Sequence, residues 1–284
     1  MSETKIVVAC CQLSLAVGDA DGNRAKVRSA ISDAARAGAR VVVLPELANT
    51  GYMFADIDEL RAAAEPLNGP TITEWANLAA QYGLIIVGGF AESGDGDLVY
   101  NSAVLIDESG VRTRYRKAHL WNREKDNLFT PGSDLPPVVD TAVGRIGVMI
   151  CYDLEFPEWI RMVALDGAEL LCAPVNWPLY PAPDGERPTE IVKIQAGATV
   201  NRMFIAAAAR VGQERGQAWL GGSVIVDADG FPLTEIQLDT ETIVLATINL
   251  ADARDKAISE RNNVQTDRRP ELYSRIGKPL EVSP

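Results

Sequence analysis

Apolar and polar positions along this chain fall into two alternating textures. Lys5 to Leu13 is a β-like run, and Asp21 to Gly38 sets Val27, Ile31, Ala34 and Ala35 at helical spacing, with Gly38 as the stop. VVVLPEL follows at once and is apolar position after position, as a strand covered on both faces of its sheet would be. Thr71 to Tyr82 reads as a second helix halted by Gly83, and LIIVGGF as another buried strand. From Leu98 to Lys117 the pattern becomes a hairpin, YNSAVLID and VRTRYRK flanking a Glu108-Ser109-Gly110 turn. Antiparallel pairing enters there.

A polar loop, AHLWNREKDNLFTPGSDLPP, separates this hairpin from VVD and from a strand over RIGVMI that Cys151 ends. A helix over about Pro157 to Asp166, the strand ELLCAPV, a Pro-rich loop from Pro178 to Pro188, a helix to about Arg202 and the strand MFIAAAARV come next. A hairpin in GGSVIVDADGFPL turns on Asp227 to Gly230, and after TIVLATINL the chain becomes polar and Arg-rich. No Gly/Ser or Pro linker and no repeat divides the chain, which predicts one domain over residues 1–284. Parallel β-α units mixed with hairpins favour an α/β sandwich of stacked sheets with helices outside; the eight β-α units of a regular barrel cannot be counted.

With 284 residues, the chain is long enough to bury about three quarters of its unfolded surface. Its 47% apolar and 23% charged residues exclude a disordered or coiled-coil chain. A formal charge of −12 makes nucleic acid a poor partner. No apolar run approaches the ~18 to 20 residues of a membrane span, and MSETKIVVACCQLSL lacks the basic start of a signal peptide, so it reads as the first strand. Cys10, Cys11, Cys151 and Cys172 form neither CxxC spacing nor a disulfide framework, which points to a reducing, cytoplasmic setting. HxxxH spacing is also missing, so no metal and no cofactor is expected.

Ligands of α/β folds gather beyond the carboxyl ends of strands, and three ionisable residues stand there: Glu46 after VVVLP, Lys117 after VRTRYR and Cys151 after RIGVMI. A thiolate nucleophile, a carboxylate to take its proton and later activate water, and an ammonium to hold an oxyanion together suffice to cleave a carbon–nitrogen bond. His119 is the only histidine, so a Cys-His mechanism would rest on it alone. Each residue also has a plainer reading. Cys151 can be a small buried hydrophobe, Glu46 a turn cap, and Lys117 the solvated end of a basic edge strand carrying Arg112, Arg114 and Arg116.

LPELANTGY around Glu46, YRKAHL around Lys117 and GVMICYDLEFPE around Cys151 resemble the three signature blocks of the nitrilase superfamily of carbon–nitrogen hydrolases. GAELLCAPVNWP, VNRMFIAAAARVG followed by QERG, and TDRRPELY extend the resemblance over about residues 5–275. It implies a four-layer α-β-β-α sandwich of two mixed sheets. It further implies Glu46 as general base, Lys117 as oxyanion stabiliser, Cys151 as nucleophile, Glu124 in WNREKD as a supporting carboxylate and the Tyr152 backbone N–H as a second oxyanion donor. His119 is read as structural. The Pro-rich stretch from Tyr180 to Pro188 takes the pocket rim outside the resemblance.

Tyr52, Asn176 and Trp177 follow strands on the same side and are candidates to face the substrate; ordinary core or rim packing is their alternative. The substrate implied is a small aliphatic or ω-amide, with N-carbamoyl amines and nitriles as alternatives, and an acyltransferase or a binding module with a vestigial site as competing classes. The resemblance also implies a homodimer or larger assembly, residues 250–284 forming a C-terminal arm used in that contact.

Overall fold

The computed structural model describes residues 5–278 as an α/β fold whose central strands carry apolar side chains on both faces. Its first sheet has six strands: β1 (Lys5–Gln12), β2 (Ala39–Val43), β3 (Ile85–Ser93), β4 (Val99–Asp107), β5 (Gly110–Arg116) and, late in the chain, β13 (Thr242–Asn249), in the order β13-β1-β2-β3-β4-β5. β1, β2 and β3 are parallel, while β13, β4 and β5 pair antiparallel with their neighbours. The second sheet has β6 (Val138–Asp140), β7 (Arg145–Val148), β8 (Leu170–Pro174), β9 (Phe204–Ala208) and β12 (Val224–Val226), ordered β12-β9-β8-β7-β6 with β7, β8 and β9 parallel. Two short hairpins complete the strands, β10 (Gln213–Glu214) with β11 (Gln217–Ala218) and β14 (Ala257–Ser259) with β15 (Asn262–Asn263).

Among the described residues five α-helices accompany them: α1 (Ala20–Arg36), α2 (Ile57–Ala63), α3 (Pro70–Tyr82), α4 (Pro157–Leu165) and α5 (Thr189–Asn201). The Asp19 carboxylate caps α1 by accepting from Gly22 N, and α3 runs from Pro70 at its first position to a left-handed Gly83. Period-two alternation explains why these strands look apolar throughout. On β2, Val41 and Val43 enter the core between the sheets, with Val8, Ile146, Val148 and Leu170. Val42 points the other way, to Val27 and Ile31 of α1 and Trp75 of α3. On the far side Leu171 and Ile205 meet Ile160 and Val163 of α4 and Ile191 and Ile194 of α5. The result is the four-layer α-β-β-α sandwich.

Two local expectations need correction, and one element has no counterpart in the sequence reading. The strand predicted to run to Cys151 leaves the ladder at Val148, although Met149 and Ile150 stay fully buried. Apolar character reports burial, not hydrogen bonding. The hairpin expected around Asp227–Gly230 keeps its turn, Gly230 N donating to Asp227 O at 3.0 Å, but pairs only through a Val226–Pro232 bridge. Lastly, α2 went unanticipated; it is one turn and three residues of IDELRAA with a single buried position, Leu60.

The segment after β13 lies along its own domain: Lys256 Nζ donates to Arg202 O at 2.7 Å and Gln265 Nε2 to Ala164 O at 2.8 Å. Residues 279–284 of the predicted arm, and residues 1–4, lie outside the described residues. Among the described residues no helix is long and apolar enough to cross a membrane, and all four cysteines are free.

Candidate active site

Both parallel strand sets end on one side, and there the chain leaves the ladder to deliver ionisable side chains. After β2 it turns at Glu46, followed by Leu47 at φ 50°. That turn packs directly on β3, where Gly89 N donates to Pro45 O at 3.1 Å and a Cβ on Gly89 would stand 2.6 Å from Glu46 Cα. Gly89, the second glycine of LIIVGGF, is thus where two backbones meet. β5 runs the same way as β3, and Lys117 follows its last residue with its N–H on Asn101 O of β4 at 2.8 Å. Glu124 comes from a 3-10 turn, Asn122–Lys125, held by Trp121 N donating to Glu124 Oε2 at 2.6 Å.

These three side chains converge with almost no access to solvent. Lys117 Nζ lies 2.7 Å from Glu46 Oε1 and 2.9 Å from Glu124 Oε1. Asn101 Nδ2 donates to the same two oxygens at 2.7 and 2.9 Å, and Tyr52 Oη donates to Glu124 Oε1 at 2.9 Å. Glu46 Oε2 is buried without a partner among the described residues, which leaves that oxygen available to a proton.

Cys151 opens a 3-10 helix, Cys151–Glu155, at φ 45°, a conformation that side chains other than glycine rarely adopt. Asp153, fully buried on the same turn, holds it. One carboxylate oxygen accepts from His119 N at 3.1 Å and lies 2.7 Å from His119 Nδ1; the other accepts from Tyr115 Oη at 2.8 Å and Ile150 N at 3.3 Å. The Lys117 loop and the Cys151 turn are thereby bolted together, with His119 stacked on Phe156 at 3.8 Å. Replacing Asp153 by Ala leaves those donors unpartnered and is expected to cost about 3 kcal/mol, read as a lower urea midpoint. A midpoint within error of wild type would contradict this placement. The Cys151 thiol donates to Asn176 O at 3.7 Å, and Asn176 Nδ2 donates to Glu46 O at 2.9 Å, so Asn176 links nucleophile and carboxylate turns.

Electrostatics follow from burying four titratable groups together. Burial pushes the Glu46 carboxyl above its ordinary value; Lys117 opposes this and Glu124 adds to it. The Cys151 thiol is also pushed well up, first by burial and then by Glu46, with Lys117 pulling the other way. For Lys117 burial favours loss of the proton, but Glu124 and Glu46 outweigh it and its pKa rises. The resting site therefore holds a permanent ammonium and a protonated thiol beside an acceptor with raised proton affinity. Such a set can transfer the thiol proton as the sulfur attacks and stabilise the oxygen that becomes negative.

A cleft of about 490 Å³ opens on Cys151, Tyr152, Asn176 and Trp177. Tyr152 sits on the first turn of the 3-10 helix, where backbone N–H groups have no intrahelical partner. Trp177, 6% exposed, walls the cleft. Asn176 lines it too; its amide nitrogen is committed to Glu46 O, while its Oδ1 has no partner among the described residues. Tyr52 turns its hydroxyl to Glu124 instead of lining the cleft. Its backbone N–H, at 2.9 Å, is held by Glu214 Oε2, a carboxylate paired at 3.1 Å with the fully buried Arg210. Asn101, Asp153 and the Arg210–Glu214 pair escaped sequence reasoning; Asp153, two places after Cys151, was the most visible.

The carbon–nitrogen hydrolase family model matches residues 7–257. This chain belongs to that family. Within it, the chain is 36% identical over 271 residues to a nitrilase of Pyrococcus abyssi, covering 95% of this chain and 100% of that one. It is 31% identical over 289 residues to the deaminated glutathione amidase of Bos taurus, covering 96% and 85%. The carbon–nitrogen hydrolase fold seen here also matches an amidase from Nesterenkonia sp. AN1, with TM-score 0.79, 25% identity and coverage of 97% and 98%, in a variant showing covalent addition of the acetamide moiety of fluoroacetamide at the active site cysteine.

Proposed function

We propose that this carbon–nitrogen hydrolase converts a small aliphatic or ω-amide to a carboxylic acid and ammonia through a thioester on Cys151. The observation that carries the reading is the buried Lys117 ammonium shared by Glu46 and Glu124 beside a thiol at positive φ. The adduct on the active site cysteine of the Nesterenkonia amidase, and the amidase named above, support it.

In this cycle Glu46 accepts the Cys151 proton as sulfur attacks the amide carbon. The Lys117 ammonium and the Tyr152 N–H hold the oxyanion. Glu46 returns its proton to the leaving nitrogen, the carbon–nitrogen bond breaks and ammonia departs. Water then adds to the thioester, giving its proton to Glu46; carbon–sulfur cleavage releases the acid and the proton goes back to sulfur. Glu124 positions Lys117 and the substrate amine. Trp177 walls the acyl chain, while Asn176 and Tyr52 act through Glu46 and Glu124. Similarity to the Pyrococcus abyssi nitrilase supports a second reading, in which attack on a nitrile gives a thioimidate and two waters are consumed. Ammonia release from short amides, N-carbamoyl amines and dinitriles tests the choice: fastest release from an amide is expected, and a panel led by either other class overturns it.

Raised proton affinity at Glu46 gives the reaction a pH signature. Below that raised value the carboxyl is protonated and cannot accept the thiol proton, so kcat/KM should climb with pH through a value above the ordinary carboxylate range. It should then stay level, because Lys117 keeps its proton. A profile that instead falls as pH rises through neutrality contradicts the assignment of Glu46.

The same reading includes assembly as a homodimer or larger, with the arm over residues 250–284 and a reducing, cytoplasmic setting for the Cys151 thiol. Leu165 on α4, Val200 on α5 and Ile276 in the late segment are exposed apolar residues suited to such a contact. Gel filtration at the 30.6 kDa of one chain would contradict it.

A further inference from the structure

The Cys151 cleft is unevenly furnished. Five aromatic residues wall it: Trp121, Tyr152, Phe156, Trp177 and Tyr180. Two edge-to-face contacts, Trp121 on Tyr152 with centroids 4.8 Å apart and Tyr152 on Phe156 at 5.3 Å, hold three of these rings in fixed relation. Aromatic faces carry negative potential and attract ammonium groups. Lys125 already demonstrates this from outside the lining, its Nζ 5.9 Å from the Tyr152 centroid.

The charged residues of the lining are Glu155, Glu190 and Lys193. Lys193 Nζ is 2.7 Å from Glu155 Oε1, so the one cation is already engaged. Glu190 receives only a 3.3 Å hydrogen bond from Thr189 Oγ1, and no cation pairs with it among the described residues. Two carboxylates against one ammonium leave the lining with a charge of −1. Glu190 also lies in the first turn of α5, where the helix contributes roughly half a positive charge, enough to offset only part of this.

Resting on the amide reading, we infer that the substrate of this cleft carries a protonated amine at the end of its acyl chain remote from the amide, held by Glu190 and the aromatic walls. A carboxylate tail would have to draw Lys193 away from Glu155 while facing Glu190. A plain alkyl tail uses the rings but leaves the acidic mouth without a role. Cation and ring face match both features at once.

Steady-state kcat/KM for matched amides tests this. Each ω-amino amide, δ-aminovaleramide for example, is compared with the alkyl amide and the ω-carboxy amide of the same length, here hexanamide and glutaramate. A preference of about tenfold for the amino amide over the alkyl amide is expected, the size of one partly exposed ammonium contact, with the carboxy amide slowest. In the Glu155→Gln/Glu190→Gln double variant the lining charge becomes +1, and the ratio of amino to carboxy amide should fall at least tenfold. Equal rates for amino and alkyl amides, a carboxy amide in first place, or a ratio unmoved in the variant each overturn the inference while leaving amide hydrolysis intact. Silence from every amide, with nitriles or carbamoyl amines turned over, instead fails the amide reading, and the tail inference with it.

Discussion

Cys151→Ala is expected to lower amide turnover on the order of 10⁶-fold, the scale seen when a hydrolase loses its nucleophile. The protein should still fold. Cys151 is half-buried, its sulfur makes one long contact to Asn176 O at 3.7 Å, and Ala meets the same φ of 45° with no greater strain. The free energy of unfolding by urea should therefore stay within about 1 kcal/mol of wild type. No other thiol can stand in, because Cys10, Cys11 and Cys172 are fully buried in the hydrophobic cores and do not line the cleft. Ammonia release within tenfold of wild type would mean that the nucleophile lies elsewhere.

Lys117→Met should damage both function and fold. Loss of one oxyanion donor typically costs about 10²- to 10³-fold in rate. Removal of the cation that Glu46 and Glu124 share also leaves two buried carboxylates uncompensated, a penalty of about 3–5 kcal/mol at neutral pH. Its pH dependence has a definite sign. Glu46 already has a raised pKa and loses the partner that was lowering it. The folded variant thus holds a proton that the unfolded chain releases, so its stability is greatest at low pH and declines as pH rises through the folded value. Melting temperatures of variant and wild type should lie closer at about pH 5 than at about pH 8. A gap independent of pH would show that Lys117 does not neutralise this pair.

How much of this was visible in the residues depends on what hydropathy measures. β2 and β8 are legible because Val41, Val42 and Val43, or Leu170 to Pro174, are buried on both faces, and nothing polar interrupts them. The same signal misleads at Met149 and Ile150, buried but outside the ladder, so hydropathy puts Cys151 on a strand end whereas it begins a 3-10 turn. Glu46, Lys117 and Cys151 stood out as ionisable groups after apolar runs, and the structure gathers them with Glu124. Asn101 did not, because which way a strand residue points toward a site depends on its register: Asn101 pairs with Ala91, and only that pairing turns its amide to Glu46 and Glu124. Arg210 and Glu214 lie more than a hundred residues from the Tyr52 turn they support, a contact that no local pattern can reveal. The acidic side of the cleft joins Glu155 to α5 across the Pro-rich loop, again a product of packing.

Thioester formation on one named sulfur is the claim on which the rest depends, and it has a direct physical readout. Enzyme mixed with a slowly hydrolysed short amide is quenched in acid during turnover and digested, and its peptides are weighed by mass spectrometry. The expected result is an added acyl group on the peptide containing Cys151, absent from the Cys151→Ala protein and lost as water is allowed to complete hydrolysis of the thioester. Turnover that proceeds with this peptide unmodified at every time point, or with the acyl group on a different residue, would contradict it.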